Sequence, residues 1–289
     1  MGWTTSVLAA PLLWAQAEGL LPEGAALRFR RFPSEAALLE ALRSGRLQAG
    51  LVDFLEAVRM QSERPIWRVP LVLGMASRHP ILIGRAVEWS DLARHRIPVV
   101  AGGREHFWAE RLLLERGLLP SRAAALLDPL PPDRFGPLAE RAPVRFALLD
   151  SVPPGWSVLA RAERLRTPPM WVLLISDSAA HRYRRELLAL LAGWANALVR
   201  WEAAPEVASA RWAALMNGSA EAMRRAVALY RLGTPRLNEE LLSPGGPLWA
   251  YQWAAHRFWV RQGRIARDAP VRPLPDPEGW RALSRGIRR

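Results

Sequence analysis

Cysteine is absent from all 289 residues, which excludes disulfides, thiolate metal sites, iron–sulfur clusters and cysteine nucleophiles together. Lysine is absent as well, so all 40 basic residues are arginine. Schiff-base lysines, a P-loop lysine and pyridoxal-phosphate chemistry are thereby excluded. Loss of every lysine beside abundant Arg, Ala, Leu and Pro reads as the codon bias of a GC-rich gene, not as selection of guanidinium groups at 40 sites. Gly-x-Ser-x-Gly, Walker A, GxGxxG and His-Glu-x-x-His patterns are missing too, so no catalytic motif supports an enzyme. His79, His95, His181 and His256 have no spacing to one another or to carboxylates that suggests a metal, and they read as structural; no metal and no cofactor is expected.

No apolar run reaches the roughly 18 to 20 residues of a spanning helix. The longest helical candidate, Leu187 to Val199, is bracketed by Glu186 and Arg200. Val7 to Ala17 imitates the apolar region of a signal peptide, with Ala15-Gln16-Ala17 as a small-x-small site. No positive charge precedes it, however, and Pro11 interrupts it. As written, the chain is expected to be soluble and unexported; a leader upstream of Met1 would place it in the periplasm.

What is present is an ordinary globular mixture, 50% hydrophobic and 23% charged, long enough for two moderate domains or one large one. The net charge is +13. Residues 1–60 hold six Arg against six acids, whereas His256 to Arg289 hold nine Arg against Asp268, Asp276 and Glu278, about half of the excess. That C-terminal charge suits a solvated tail or a docking surface for an acidic partner or anionic membrane. No RNP, helix-turn-helix or zinc-finger pattern accompanies it, so nucleic acid is not the expected partner.

Leu27–Phe32, Leu47–Val52, Val69–Met75, Ile97–Val100, Val144–Leu149 and Trp171–Ile175 are short apolar runs bounded by Gly, Pro, Asp or Ser and read as strands. Helical patterns lie between them: Ala10–Ala17, Ser34–Ser44 with Ser34 as N-cap and Gly45 beyond, and Glu105–Arg116 ended by Gly117. The alternation predicts an α/β class with largely parallel sheets. Past Ser176 the pattern is helices only, over Ser178–Trp201, Pro205–Met216, Ser219–Leu232 and Leu248–Gln262, giving an all-helical C-terminal third. Pro-rich stretches, Asp128–Pro132 among them, read as loops. Trp194, Trp201, Trp212, Trp249, Trp253, Trp259 and Trp280 fall at helical spacing in this third and read as packing residues.

Two consecutive stretches near the start of the chain, and one near its end, carry a resemblance. Gly2-Trp3-Thr4-Thr5 followed by Ala10-Pro11-Leu12-Leu13-Trp14-Ala15 and Glu18-Gly19-Leu20 resembles the first strand, loop and helix of type 2 periplasmic binding proteins. Phe32-Pro33-Ser34, Leu38 to Leu42 and Ser44-Gly45-Arg46-Leu47-Gln48-Ala49-Gly50-Leu51 resembles the next unit of that fold. Pro247-Leu248-Trp249-Ala250-Tyr251-Gln252-Trp253 to Gly263 is similar to the terminal helix of the nitrate- and bicarbonate-binding branch. The family implies two α/β lobes joined by two crossovers, 1–77 plus 170–289 and 78–169. It also implies a small anion or organic solute trapped between them by hinge closure for an ABC-type uptake system, with a permease as partner. A cytoplasmic sensor of the nitrate-sensor type, acting on a regulatory protein, is a second role found in that branch. A chorismate-dehydratase-like enzyme is a third on the same fold. Gly50-Leu51-Val52-Asp53-Phe54 and Leu149-Asp150-Ser151-Val152-Pro153 depart from the branch's motifs, and no lysine can supply its lysine contacts, so nitrate itself is not the expected ligand. The resemblance implies a small anionic or carboxylate- or sulfonate-bearing solute, while an aspartate facing the cleft would suit a cationic, amine-bearing or protonated one.

The candidate ligand residues follow strands. Trp3, Thr4 and Thr5 end the first strand, where hydroxyls can donate to an anion and the indole can wall a pocket. Asp53 with Phe54, and Asp150 with Ser151, follow later strands; an aspartate there either accepts from the ligand or caps the next turn. Gly103, Arg104 and His106 lie in Ala101-Gly102-Gly103-Arg104-Glu105-His106, a turn after a strand that opens a helix and aims backbone N–H groups at an anion. The resemblance places His106 on the anion-contacting histidine of an S-T-H motif, with Arg104 and Glu105 replacing its two hydroxyl residues. Trp171 opens the strand returning to the first lobe and is a further pocket candidate.

Overall fold

The computed structural model describes residues 1–4, 6–19, 27–77, 80–147, 152–162 and 168–281. The chain forms two compact units. The first comprises Met1–Ala76, Pro169–Val260 and Arg264–Arg289, and the second Ser77–Pro168 with Arg261–Gly263.

In the first unit, β1 (Gly2–Trp3) leads through a Ser6-capped 3-10 turn into α1 (Ala10–Ala17). Gly2 is closely surrounded, and a Cβ there would force the δ-carbons of Leu38 and Leu47 to shift. β2 (Arg30–Arg31), α2 (Glu35–Arg43) and β3 (Ala49–Asp53) follow. The ends of α2 are set locally: the Ser34 hydroxyl accepts from the Ala37 N–H at 3.2 Å, Glu35 and Arg43 complement the helix dipole, and Gly45 takes φ 73° just beyond. Its buried face is Leu38, Leu39, Ala41 and Leu42. α3 (Phe54–Glu63) and β4 (Trp67–Ala76) complete this stretch.

The second unit contains β5 (Ile81–Gly84), β6 (Ile97–Val100), α4 (Arg104–Glu115), α5 (Pro120–Leu126), β7 (Leu127–Leu130), α6 (Pro132–Arg141), β8 (Val144–Ala147) and β9 (Ser157–Arg161). β5 is the centre of an antiparallel three-stranded sheet, β8-β5-β9, and β6 pairs in parallel with β7. Phe107, Trp108, Leu112 and Leu113 of α4 are buried in this unit's core, with Phe107 and Trp108 edge to face at 4.8 Å.

The chain then returns to the first unit as β10 (Met170–Ser176), α7 (Asp177–Arg182), α8 (Arg184–Ala203), α9 (Pro205–Met216), α10 (Ala220–Ala228), β11 (Tyr230–Leu232), α11 (Pro235–Leu242) and α12 (Pro247–Arg261). The six-stranded sheet has the order β11-β4-β10-β3-β1-β2. β1 pairs in parallel with β2 and β3, while β10 runs antiparallel to both β3 and β4, and β11 antiparallel to β4. The expectation of largely parallel sheets is corrected in this respect. The strands of the β–α alternation do share one direction, but β10 enters between two of them in reverse, and local pattern carries no sign of that insertion.

Other elements differ in detail. The helix expected over Ser178–Trp201 is two, divided at Tyr183 (φ −114°, ψ 34°). The C-terminal third is helical except for β11, which replaces the end of the expected Ser219–Leu232 helix: Gly233 lies so close to the Val72 carbonyl that a Cβ would collide with it, and its N–H donates to Leu73 O at 2.8 Å. β7 occupies part of the Asp128–Pro132 stretch read as a loop. Pro129 fits because, among the described residues, β7 pairs only with β6. Trp194, Trp212, Trp259 and Trp280 are buried, and Trp201 stacks on Trp212 at 4.5 Å, but Trp253 is 53% exposed. It shares the outer stripe of α12 with Ala250 and Arg257. Among the described residues, no helix is long and apolar enough to cross a membrane.

Candidate functional site

In the first unit, the sheet brings four of the candidates to one edge. β1 ends at Trp3 and is followed by Thr4, its neighbour β3 ends at Asp53, and β10, next in order, starts there with Trp171 directly opposite Asp53. Trp3 is buried, with the Arg31 guanidinium over its ring at 5.7 Å, and Thr4 is half-buried just ahead of the 3-10 turn. Trp171 is half-buried and meets Tyr230 edge to face at 5.0 Å.

Asp53 and Phe54 point inward instead. Asp53 is 2% exposed and is the N-cap of α3, its Oδ1 accepting from the Leu55 N–H at 2.8 Å. Its own N–H donates to Glu35 Oε1 at 3.4 Å. Phe54 is fully buried and packs edge to face on Tyr251 at 4.9 Å, which makes it a core residue. Thr5, Asp150 and Ser151 lie outside the described residues, as does His79.

In the second unit, the candidates Gly103, Arg104 and His106 sit where β6 passes into α4. Gly103 N–H donates to Val100 O at 2.8 Å, closing a turn in which Gly102 has φ 64°, a left-handed value suited to glycine. Gly103 is the N-cap of α4, and a Cβ there would stand 3.1 Å from Val100 O. The first N–H groups of a helix have no carbonyl behind them and carry the positive end of its dipole. Arg104 and Glu105 occupy the first two helical positions, with 3.9 Å between their charged groups.

His106, at the third helical position, is 4% exposed and turns its ring back on the loop: Nδ1 accepts from the Gly102 N–H at 3.2 Å. Burial, and then the positive charge of Arg261, push its pKa down to about 4. The imidazole is therefore neutral at pH 7, and with Nδ1 accepting, its proton sits on Nε2. Arg261, which belongs with this unit, is ion-paired with Glu110, one helical turn beyond His106. The chain pattern could have flagged Glu110 from its i,i+4 spacing to His106, but nothing local marks Arg261, 151 residues further on. Glu35 and Tyr230, beside Asp53 and Trp171, likewise carry no sequence signal.

Among the described residues, the arrangement offers hydrogen-bond donors, a helix dipole and a guanidinium. Among the described residues, no group of three His, Asp or Glu side chains could hold a metal ion.

Solved structures of the same fold span nearly the whole chain. A putative sulfonate ABC transporter protein, the periplasmic sulfonate-binding protein SsuA from Methylobacillus flagellatus KT, matches with a TM-score of 0.71 at 11% identity, over 100% of this chain and 94% of its own. The periplasmic nitrate-binding protein NrtA from Synechocystis PCC 6803 matches at 0.63 and 12% identity, over 99% and 88%. The desulfurization enzyme DszB matches at 0.59 and 13% identity, over 99% and 98%. No protein-family model matches the sequence, and no curated protein does. At such identities the likeness establishes architecture, and the chain accordingly has the fold of the periplasmic binding proteins, the one its opening motifs resemble.

Proposed function

We propose that this chain is a binding protein for a small organic anion with a carboxylate or sulfonate head, seated at the start of α4. The observation that carries this is the Val100–His106 segment. A tight Gly-Gly turn exposes a helix N-terminus, an arginine stands at its first position, and a buried neutral imidazole braces the loop from behind. A neutral histidine there holds the loop without titrating near pH 7, and the positive charge comes from the helix dipole and from Arg104, whose guanidinium stands 3.9 Å from Glu105. We propose separately that Trp3, Thr4 and Trp171, which lie together at one end of the first unit's sheet, are ligand residues of that unit. Asp53 and Phe54 support that edge from inside.

The finer role follows the fold neighbours. Sulfonate- and nitrate-binding proteins share this architecture, and we assign the chain the part of a solute-binding component that closes on its ligand for an ABC-type uptake system. An enzyme also shares the fold, so the test must separate binding from turnover. It is a thermal-shift screen of alkane- and arylsulfonates, carboxylates and heterocyclic acids, with each hit recovered and weighed by mass spectrometry. A ligand at 100 times its Kd stabilises by about 2.7 kcal/mol, a rise of several degrees for a chain of this size. We expect at least one such hit, recovered unchanged. No shift across the panel, or conversion of a hit, overturns the proposal.

A further inference from the structure

The other end of the first unit's sheet, where β1, β2 and β3 begin, holds a cavity of about 330 Å³, inside the ~300–1,000 Å³ range of small-molecule pockets. Its floor is apolar, formed by the buried residues Ala49, Ile175, Ala179 and Leu187. Its rim carries Arg28, Arg30 and Arg46, all exposed, and among the described residues no acid lines it. Among the described residues none of these three arginines is in an ion pair.

Overall arginine content does not account for this. Residues 1–60 have no net charge, and the neighbouring Arg43 and Arg59 are paired with Glu63 and Glu56. Among the described residues, three arginines without an ion-pair partner are left around one mouth. Arg30 is steadied over the Phe32 ring at 5.3 Å, and Arg46 Nε donates to Ser44 Oγ at 3.0 Å. Like charges converging on an opening repel one another, and an anion seated among them removes that cost.

We infer that this cavity is a second ligand site, separate from the α4 seat, for an amphiphilic organic anion: one carboxylate, sulfonate or sulfate head held by the arginines, with an aliphatic or aryl body on the apolar floor. The inference stands independently of the proposed function. It is tested on the full chain by NMR titration with octane-1-sulfonate and octanoate, with octan-1-ol and inorganic sulfate as the uncharged and headgroup-only controls. The expected result is that both amphiphilic anions shift the resonances of Ala49, Ile175 and Ala179. The controls should bind at least tenfold more weakly. The double substitution Arg30→Ser, Arg46→Ser should weaken binding at least tenfold with an unchanged melting curve, whereas Arg104→Ala should leave it intact. Shifts confined to other residues, equal binding of octan-1-ol, or full binding by the Arg30→Ser, Arg46→Ser protein would overturn it.

Discussion

Burial and the charge of Arg261 keep His106 neutral. The folded pKa of about 4 lies below the ordinary value of 6.5. Between those values the unfolded chain takes up a proton that the folded chain refuses. The stabilisation is therefore complete above pH 6.5 and is lost as pH falls toward 4, by up to about 3 kcal/mol at ~1.4 kcal/mol per pH unit. His106→Gln keeps an acceptor for the Gly102 N–H but removes the titration. Urea unfolding at pH 7.5, 6, 5 and 4.5 should show a shallower loss for that variant; parallel curves would contradict the buried-neutral assignment. Asp53 supports a second prediction of this kind. As the cap of α3, Asp53→Ala should lose about 1–2 kcal/mol while Asp53→Asn, which can still accept from Leu55 N–H, loses much less. Chemical denaturation distinguishes the two, and equal losses would mean that the carboxylate charge matters, not the cap. The sequence names Asp53, but its spacing after a strand fits ligand and cap equally, and only the 2.8 Å bond inside the core separates them.

Elements whose ends are written locally are the legible ones. α1, β6 and α9 coincide with the runs read from sequence, and α2 and α4 differ by a residue or so at their ends, because Ser34, Gly45, Pro11, Gly117 and Pro205 act on their own neighbours. β11 shows the opposite case. Three residues leave a helical pattern to pair with β4, and the ladder is then continued by a side chain: buried Asn238 accepts from Val72 N–H at 2.7 Å and donates to Val72 O at 2.9 Å. Its partner is 166 residues away, so no local rule could find it. Asn238→Leu strands a buried N–H and a buried carbonyl together, and we expect a loss of about 2–5 kcal/mol by urea unfolding. A loss below about 1 kcal/mol would show that water or backbone replaces the amide. Gln252, within the α12 stretch that carries the family resemblance, is likewise a tether: it donates to Arg272 O at 2.6 Å and accepts from Leu274 N–H at 3.2 Å.

At the scale of the whole molecule, the motif order of the first 51 residues and the terminal tryptophan–glutamine helix are sufficient to indicate the fold, and the likeness to sulfonate- and nitrate-binding proteins agrees with it. The strand directions were less accessible, because the return of the chain as β10 is decided by packing against β3 and β4 along their length. The candidate site divides in the same way. The residues that follow strands could be named, while the groups they meet, Glu35, Tyr230 and Arg261, come from other segments. The central claim, that the start of α4 seats an organic anion, is tested most directly by titrating the best-stabilising sulfonate or carboxylate into isotope-labelled protein and following backbone amides. The account predicts that the amides of Gly102, Gly103, Arg104 and Glu105 shift along one saturating curve, and that Arg104→Ala weakens binding at least tenfold. Saturable binding that leaves those four amides unmoved would contradict it.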